Sequence, residues 1–361
     1  MQIATVKLTI FLLTATLSFF AVESAEADKK ETSAKLVSKD HYIDHISIEP
    51  FYVRNDIDPK VVLHVREIVQ ESAIESVAET GKVIVLVHGA TLPGSVAFDL
   101  DFENASMMRQ LAQSGWDTFA LDLEGYGESS RPAVMDDPDA YPDEPAPISP
   151  DVTVANVAAV VDYVRELRNV EKVYMLGWSL GAMVEVPRYA IEQPDKLSKI
   201  VLHGTRFMGK AVNDEEVAKK VANINLKKNR MGDPAKIERW GSLGTTPEMI
   251  IPGLFEVYSA AHLESDPMSA ALGGKIRAPF GRFIEVVSQQ KRFDAEKITV
   301  PTLIIRGELD KIAPLEDNEM LLATLASNEK KLVTIPGAGH MNPMENTNKQ
   351  FYQALENFLN H

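Results

Sequence analysis

Gly177-Trp178-Ser179-Leu180-Gly181 decides how this chain is read. The pattern G-x-S-x-G places a serine on a sharp turn between a strand and a helix, the nucleophile elbow. The first glycine permits the tight turn, and the second lets the helix begin close against the strand. Five residues are a weak match by themselves, so the flanks carry the weight. Lys172-Val173-Tyr174-Met175-Leu176 is a short apolar run of β type, and Ala182 to Glu192 reads as a helix with Pro187 inside it. Strand, elbow and helix stand in the required order.

The same alternation extends in both directions. Ile43 to Phe51 and Val61 to Val69 read as two strands, a candidate hairpin. Val83-Ile84-Val85-Leu86-Val87 is a continuous apolar run, as expected of a strand buried on both faces. Further strands are expected at Thr118 to Leu121, Lys199 to His203, Pro301 to Arg306 and Lys331 to Ile335, with helices at Phe102 to Ser114, Asp151 to Arg168 and Gln350 to Leu359. Asp151 is the expected N-cap of its helix. Residues 132–150 hold six prolines and five acidic residues and read as a long loop. Strands alternating with helices imply a mostly parallel sheet covered on both faces. Residues 206–295 interrupt the alternation and read as helices with loops, hence a helical lid over the sheet's C-terminal edge, where open α/β sheets bind ligands. The expected organisation is a core over 41–205, the lid over 206–295 and the rest of the core over 296–361.

The chain has 361 residues, 45% of them hydrophobic, enough for one large α/β domain with an insert. Lys7, the apolar stretch Leu8 to Val22 and Ala25-Glu26-Ala27 form a secretory signal pattern over residues 1–27. The stretch is short of the ~20 residues that a membrane span needs. A cleaved signal, a secreted or periplasmic protein and no stable membrane anchor are therefore expected, with a polar linker over 28–40. The net charge of −15 argues against nucleic acid or an anionic membrane as partner. With no cysteine, disulfides, thiolate metal sites and a cysteine nucleophile are excluded.

A serine hydroxyl needs a base beside it and an acid to orient that base. Gly337-Ala338-Gly339-His340 follows the last strand, and Arg306-Gly307-Glu308-Leu309-Asp310 follows the one before. The order Ser179, Asp310, His340 is the one this strand–elbow–helix architecture uses. An oxyanion hole needs two fixed donors. The backbone N–H of Leu180 and that of Ala90, in the turn His88-Gly89-Ala90, are the candidates. Glu308 and then Asp317 are runner-up acids. Trp178 and His203 are candidate substrate contacts, and His88 reads as a loop-packing residue. His41, His45, His64, His262 and His361 read as surface or core. Of Phe207, Trp240, Phe255, Tyr258, Phe280 and Phe283 in the lid, most are expected in its core, with one or two facing the cleft. The acidic loop 136–144 lacks an ordered calcium-ligand spacing and reads as solvated.

His88-Gly89, Asp122-Leu123-Glu124-Gly125-Tyr126-Gly127-Glu128-Ser129, the elbow, Gly307-Glu308-Leu309-Asp310 and Gly337-Ala338-Gly339-His340 together resemble the α/β-hydrolase family over roughly residues 80–361. The resemblance implies an eight-stranded, mostly parallel sheet with the lid inserted after the sixth strand. It also implies hydrolysis of an ester, lactone, thioester or amide through an acyl-enzyme. Ser179 argues against the dehalogenases and epoxide hydrolases of the family, which use a carboxylate nucleophile. The expected activity is that of an exported serine hydrolase of carboxylic esters with small or medium apolar substrates and no metal or organic cofactor. Lactonase, amidase or peptidase, and perhydrolase activities share the machinery, and a non-catalytic binding protein is the reading from another class. Oligomeric state is not legible.

Overall fold

In a computed structural model, residues 35–53, 56–102, 104–209 and 213–361 are described. The expected signal peptide over 1–27 lies outside them. Ten strands form: β1 (Leu36–Val53), β2 (Asp56–Gln70), β3 (Val83–Val87), β4 (Asp117–Asp122), β5 (Val173–Trp178), β6 (Leu197–His203), β7 (Asn229–Gly232), β8 (Ile276–Pro279), β9 (Thr302–Gly307) and β10 (Lys330–Ile335). Eight of them make one sheet in the order β1-β2-β4-β3-β5-β6-β9-β10. β1 pairs antiparallel with β2, and β2 with β4. Every other neighbour in that sheet is parallel.

The apolar run of β3 explains the layering. Successive strand side chains point to opposite faces. Ile84 and Leu86 join one core and Val83, Val85 and Val87 the other. The principal helices are α1 (Met107–Gln113), α2 (Pro150–Arg168), α3 (Leu180–Met183), α4 (Glu185–Glu192), α5 (Asp214–Lys227), α6 (Leu254–Glu264), α7 (Leu315–Thr324) and α8 (Asn348–Leu359). α1 and α8 cover the first face, and α2, α4 and α7 the second. Both sheet faces are thereby dry, which parallel strands require.

Several expectations are corrected. The linker expected over 28–40 is wrong for its last five residues: Leu36 to Asp40 pair with Gln70 to Arg66 as the start of β1. β1 is the edge strand of the sheet, where exposed polar residues are tolerated, so low hydropathy did not mean loop. The N-cap of α2 is Ser149, whose hydroxyl accepts from Val152 N–H at 3.4 Å, with Pro150 at the first helical position. The helix expected over Ala182 to Glu192 breaks at Val184, where φ is −127° and ψ −70°. Pro187 falls in the first turn of α4, where its missing N–H costs nothing. Residues 132–150 include a helical turn at Ala133–Asp136. The segment 206–295 is not only helical: β7 and β8 form a two-stranded antiparallel pair. Four residues each are too few to show a period of two.

The β1–β2 hairpin carries buried ions where it meets the sheet. His64 Nδ1 lies 2.8 Å from Asp122 Oδ2 and its Nε2 lies 3.0 Å from Asp40. His41 Nε2 lies 2.6 Å from Glu67, which also pairs with Arg168. Glu124 ties the hairpin to α2, accepting from Asn156 Nδ2 at 2.6 Å and Ser47 Oγ at 3.1 Å. Burial pushes the Glu124 carboxyl up to about 7. A carboxyl raised above its unfolded value of about 4.3 binds more protons in the folded chain. Stability from this group is therefore complete below the unfolded value and falls as pH rises toward 7. Urea midpoints of wild type and Glu124→Gln should diverge between pH 5 and 8, the variant gaining as pH rises. Parallel curves would show that Glu124 ionises normally.

Candidate active site

Ser179 sits at the C-terminal end of β5 with φ 56° and ψ −115°, a backbone conformation that costs on the order of 1–3 kcal/mol. The surroundings fix it there. Its N–H donates to His203 O at 2.8 Å, prolonging the β5–β6 pairing. Two residues on, a Cβ at Gly181 would come within 2.5 Å of the Val87 carbonyl oxygen, so only glycine lets α3 start this close to β3.

Two loops, after β9 and after β10, meet the serine at this end of the sheet. His340 Nε2 lies 2.9 Å from Ser179 Oγ, and its Nδ1 lies 2.8 Å from Asp310 Oδ2. A carboxylate can only accept, so Nδ1 carries the proton and Nε2 faces the hydroxyl as acceptor. Burial alone would raise the Asp310 carboxyl. The charge and hydrogen bond of His340, with Ile312 and Ala313 N–H on Asp310, outweigh it and hold the carboxyl below its usual range. The runner-up acids lie elsewhere: Glu308 is exposed and accepts from Gly337 N–H at 2.8 Å, while Asp317 accepts from Phe207 and Met208 N–H.

Sequence reasoning missed the residues that hold the histidine in place. Gly204, just past β6, has φ +61°, and a Cβ on it would lie 2.8 Å from His340 Cε1. Buried Glu345 accepts from Gly339 N–H at 2.8 Å and Thr245 Oγ at 2.6 Å, anchoring the loop before His340. Neither belongs to a motif. Trp178 Nε1 donates to the His340 carbonyl at 3.3 Å.

The turn after β3 closes the other side. A Cβ at Gly89 would stand 3.1 Å from Ser179 Cβ, so the turn lies against the serine. Leu180 opens α3, where an N–H has no partner within its helix. Tyr126 Oη donates to Ala90 O at 2.9 Å. Arg282, fully buried, donates to Gly89 O at 2.9 Å and Tyr126 Oη at 3.1 Å and pairs with buried Glu185 at 2.9 Å. His88 is buried among these groups, and burial, then the Arg282 charge, pushes it down to about 3. Its Nδ1–H donates to Gly89 O and its Nε2 accepts from Leu123 N–H, which makes it a neutral packing residue.

A cavity of about 340 Å³ opens over Ser179 and is lined by Ala90, Trp178, Leu180 and His340. Trp240, Tyr258 and Phe283 of the excursion between β6 and β9 line it too, as does His262. Of the other aromatics there, Phe207 packs on Phe293, Phe255 on Trp240 and Phe280 on Phe283. His262 was read as surface or core; its Nε2–H donates to Thr91 O at 2.8 Å, bracing the turn after β3. His203 is a correction. It is fully buried beneath Trp178, with ring centroids 5.9 Å apart, and is absent from the lining. The apolar burial that seals it pushes its imidazole down to about 3.

A hydroxyl, an imidazole and a carboxylate in one hydrogen-bonded chain at the C-terminal edge of such a sheet define an α/β-hydrolase. The family model described as serine aminopeptidase, S33, matches residues 78–347, and the chain belongs to that family. Solved structures agree in fold. A thermophilic esterase from Thermogutta terrifontis is 18% identical with a TM-score of 0.55, over 89% of this chain and 98% of that one. The 2-hydroxy-6-oxo-6-phenylhexa-2,4-dienoate hydrolase from a Rhodococcus species is 19% identical with a TM-score of 0.56, over 89% and 99%. An esterase from Exiguobacterium antarcticum is 18% identical with a TM-score of 0.56, over 83% and 96%.

Removing one member of the Arg282–Glu185 pair strands the other without water. Arg282→Met should cost about 3–5 kcal/mol, and Arg282→Met with Glu185→Leu should recover most of it. Urea unfolding of the three proteins measures this. An equal loss in both variants would assign the cost to packing instead of charge.

Proposed function

We propose that the chain is an exported serine hydrolase acting on carboxylic esters. The observation that carries this reading is the chain Asp310–His340–Ser179, with links of 2.8 and 2.9 Å. Ser179 Oγ attacks the ester carbonyl while His340 Nε2 takes its proton. Ala90 and Leu180 N–H groups receive the developing oxyanion. Asp310 holds the imidazole tautomer and steadies the imidazolium without taking the proton. His340 then protonates the leaving alkoxide and activates water to release the acid.

The excursion between β6 and β9 serves as the lid in this reading. It supplies Trp240, Tyr258 and Phe283 to the cavity, which favours small or medium apolar portions of a substrate. Cleavage of residues 1–27 and a secreted or periplasmic location rest on the sequence alone. Aminopeptidase action is less well supported by the charges: an ammonium terminus needs a free carboxylate, and Asp233, the one carboxylate on the cavity wall among the described residues, pairs with Lys236 at 3.2 Å.

Turnover of p-nitrophenyl acyl esters, a lactone and an aminoacyl anilide should single out the esters. Ser179→Ala should lower kcat by a factor on the order of 10⁶. Activity surviving within tenfold would remove Ser179 from the chemistry.

A further inference from the structure

Among the described residues, five side chains on the cavity wall are arginine or lysine, against one carboxylate, in a chain of net charge −15. Three of the five have acceptors, although Nε of Arg292 has none among the described residues. Lys236 has Asp233. Arg206 donates to the carbonyls of Ile312 and Lys311, and Arg292 to those of Glu285, Val286 and Gln289. Arg230 in β7 and Arg239 in the helical turn Glu238–Gly241 are different. Among the described residues, neither guanidinium has a hydrogen-bond acceptor or a carboxylate.

Among the described residues, the other part-buried arginines have acceptors: Arg131 and Arg306 donate to backbone carbonyls, and others pair with carboxylates. Arg277 has Asp266 and Asp136, Arg188 has Asp151 and Glu285, and Arg168 has Glu67 and Asp117. Arg230 instead lies 4.7 Å over the Phe283 ring. Burial, and then the neighbouring charge of Arg239, disfavours its charged form. Arg230 is half-buried and Arg239 exposed; their like charges at one cavity repel, and a bound anion would relieve that repulsion. Arg230 also acts electrostatically on Tyr126, whose hydroxyl bonds the Ala90 carbonyl.

We infer that Arg230 and Arg239 form an anion subsite of this cavity, and that the ester it takes carries a carboxylate or phosphate remote from the bond cleaved. Both anions match the planar donor fork of a guanidinium. The subsite deepens the ester-hydrolase reading and rests on it for the scissile bond, while anion binding stands apart from turnover. The apolar wall of Trp240, Tyr258 and Phe283 then receives the segment between ester and anion.

Two measurements separate these layers. Calorimetric titration of Ser179→Ala protein with glutarate and with phenyl phosphate reads anion binding without catalysis, dimethyl glutarate being the neutral control. Binding of one anion or both, weakened at least tenfold by Arg230→Gln with Arg239→Gln, is expected, and the stronger of the two identifies the group. Kinetically, wild type should prefer mono-p-nitrophenyl glutarate over its methyl ester by tenfold or more in kcat/KM, chiefly through KM. The double variant should lose that ratio, and Arg230→Lys should keep part of it. No binding of either anion, or binding and preference unaltered in the double variant, would overturn the subsite. Anion binding that depends on both arginines, with no ester turned over, would keep the subsite and overturn the ester reading.

Discussion

The backbone of Ser179 is the constraint on which the rest depends. A non-glycine residue at φ 56° and ψ −115° persists only if its neighbours leave no alternative. β5 is paired on both sides, α3 is pressed against the Val87 carbonyl at Gly181, and the Ser179 N–H is fixed by His203 O. The hydroxyl is thereby held at the sheet's C-terminal edge before any partner arrives. Loops after β3, β6, β9 and β10 converge on the same edge because those strands run parallel to β5.

Around that point the protein places buried charge where position matters. Glu345 fixes the loop that carries His340, and Arg282 with Glu185 fixes the turn that carries Ala90. Arg282 comes from the excursion between β6 and β9, so the segment over the cavity also sets the geometry beneath it. Buried ion pairs contribute little net stability. Their use here is to hold carbonyls and N–H groups in one arrangement, which the proposed acyl transfer would require for charge stabilisation. Among the described residues, the guanidinium groups of Arg230 and Arg239 have no acceptor while those of the other arginines do, and that contrast singles them out.

Legibility followed the range of the interactions. The elbow, the apolar run of β3 and the small residues beside His340 are local signals, and they sufficed to place the parallel sheet and to point to three residues, Ser179, Asp310 and His340, that the fold brings into one hydrogen-bonded chain. Gly204, Arg282 and Glu345 act through contacts with distant segments, so no spacing announces them. His203 was misassigned because it ends a strand beside the site. Its side chain points into the core under Trp178, and which way a strand's last residue faces depends on register. The polar start of β1 and the four-residue β7 and β8 were hidden for want of a hydrophobic period, and Ser149 displaced Asp151 as cap because Pro150 begins the helix.

The most direct measurement is the rate and site of covalent labelling by a fluorophosphonate, read by peptide mass mapping on wild type and His340→Gln. A single adduct on the peptide bearing Ser179, formed at least a hundredfold more slowly in the variant, is expected of a serine whose proton passes to His340. An adduct on another residue, no adduct on folded protein, or equal rates in the two proteins would contradict it.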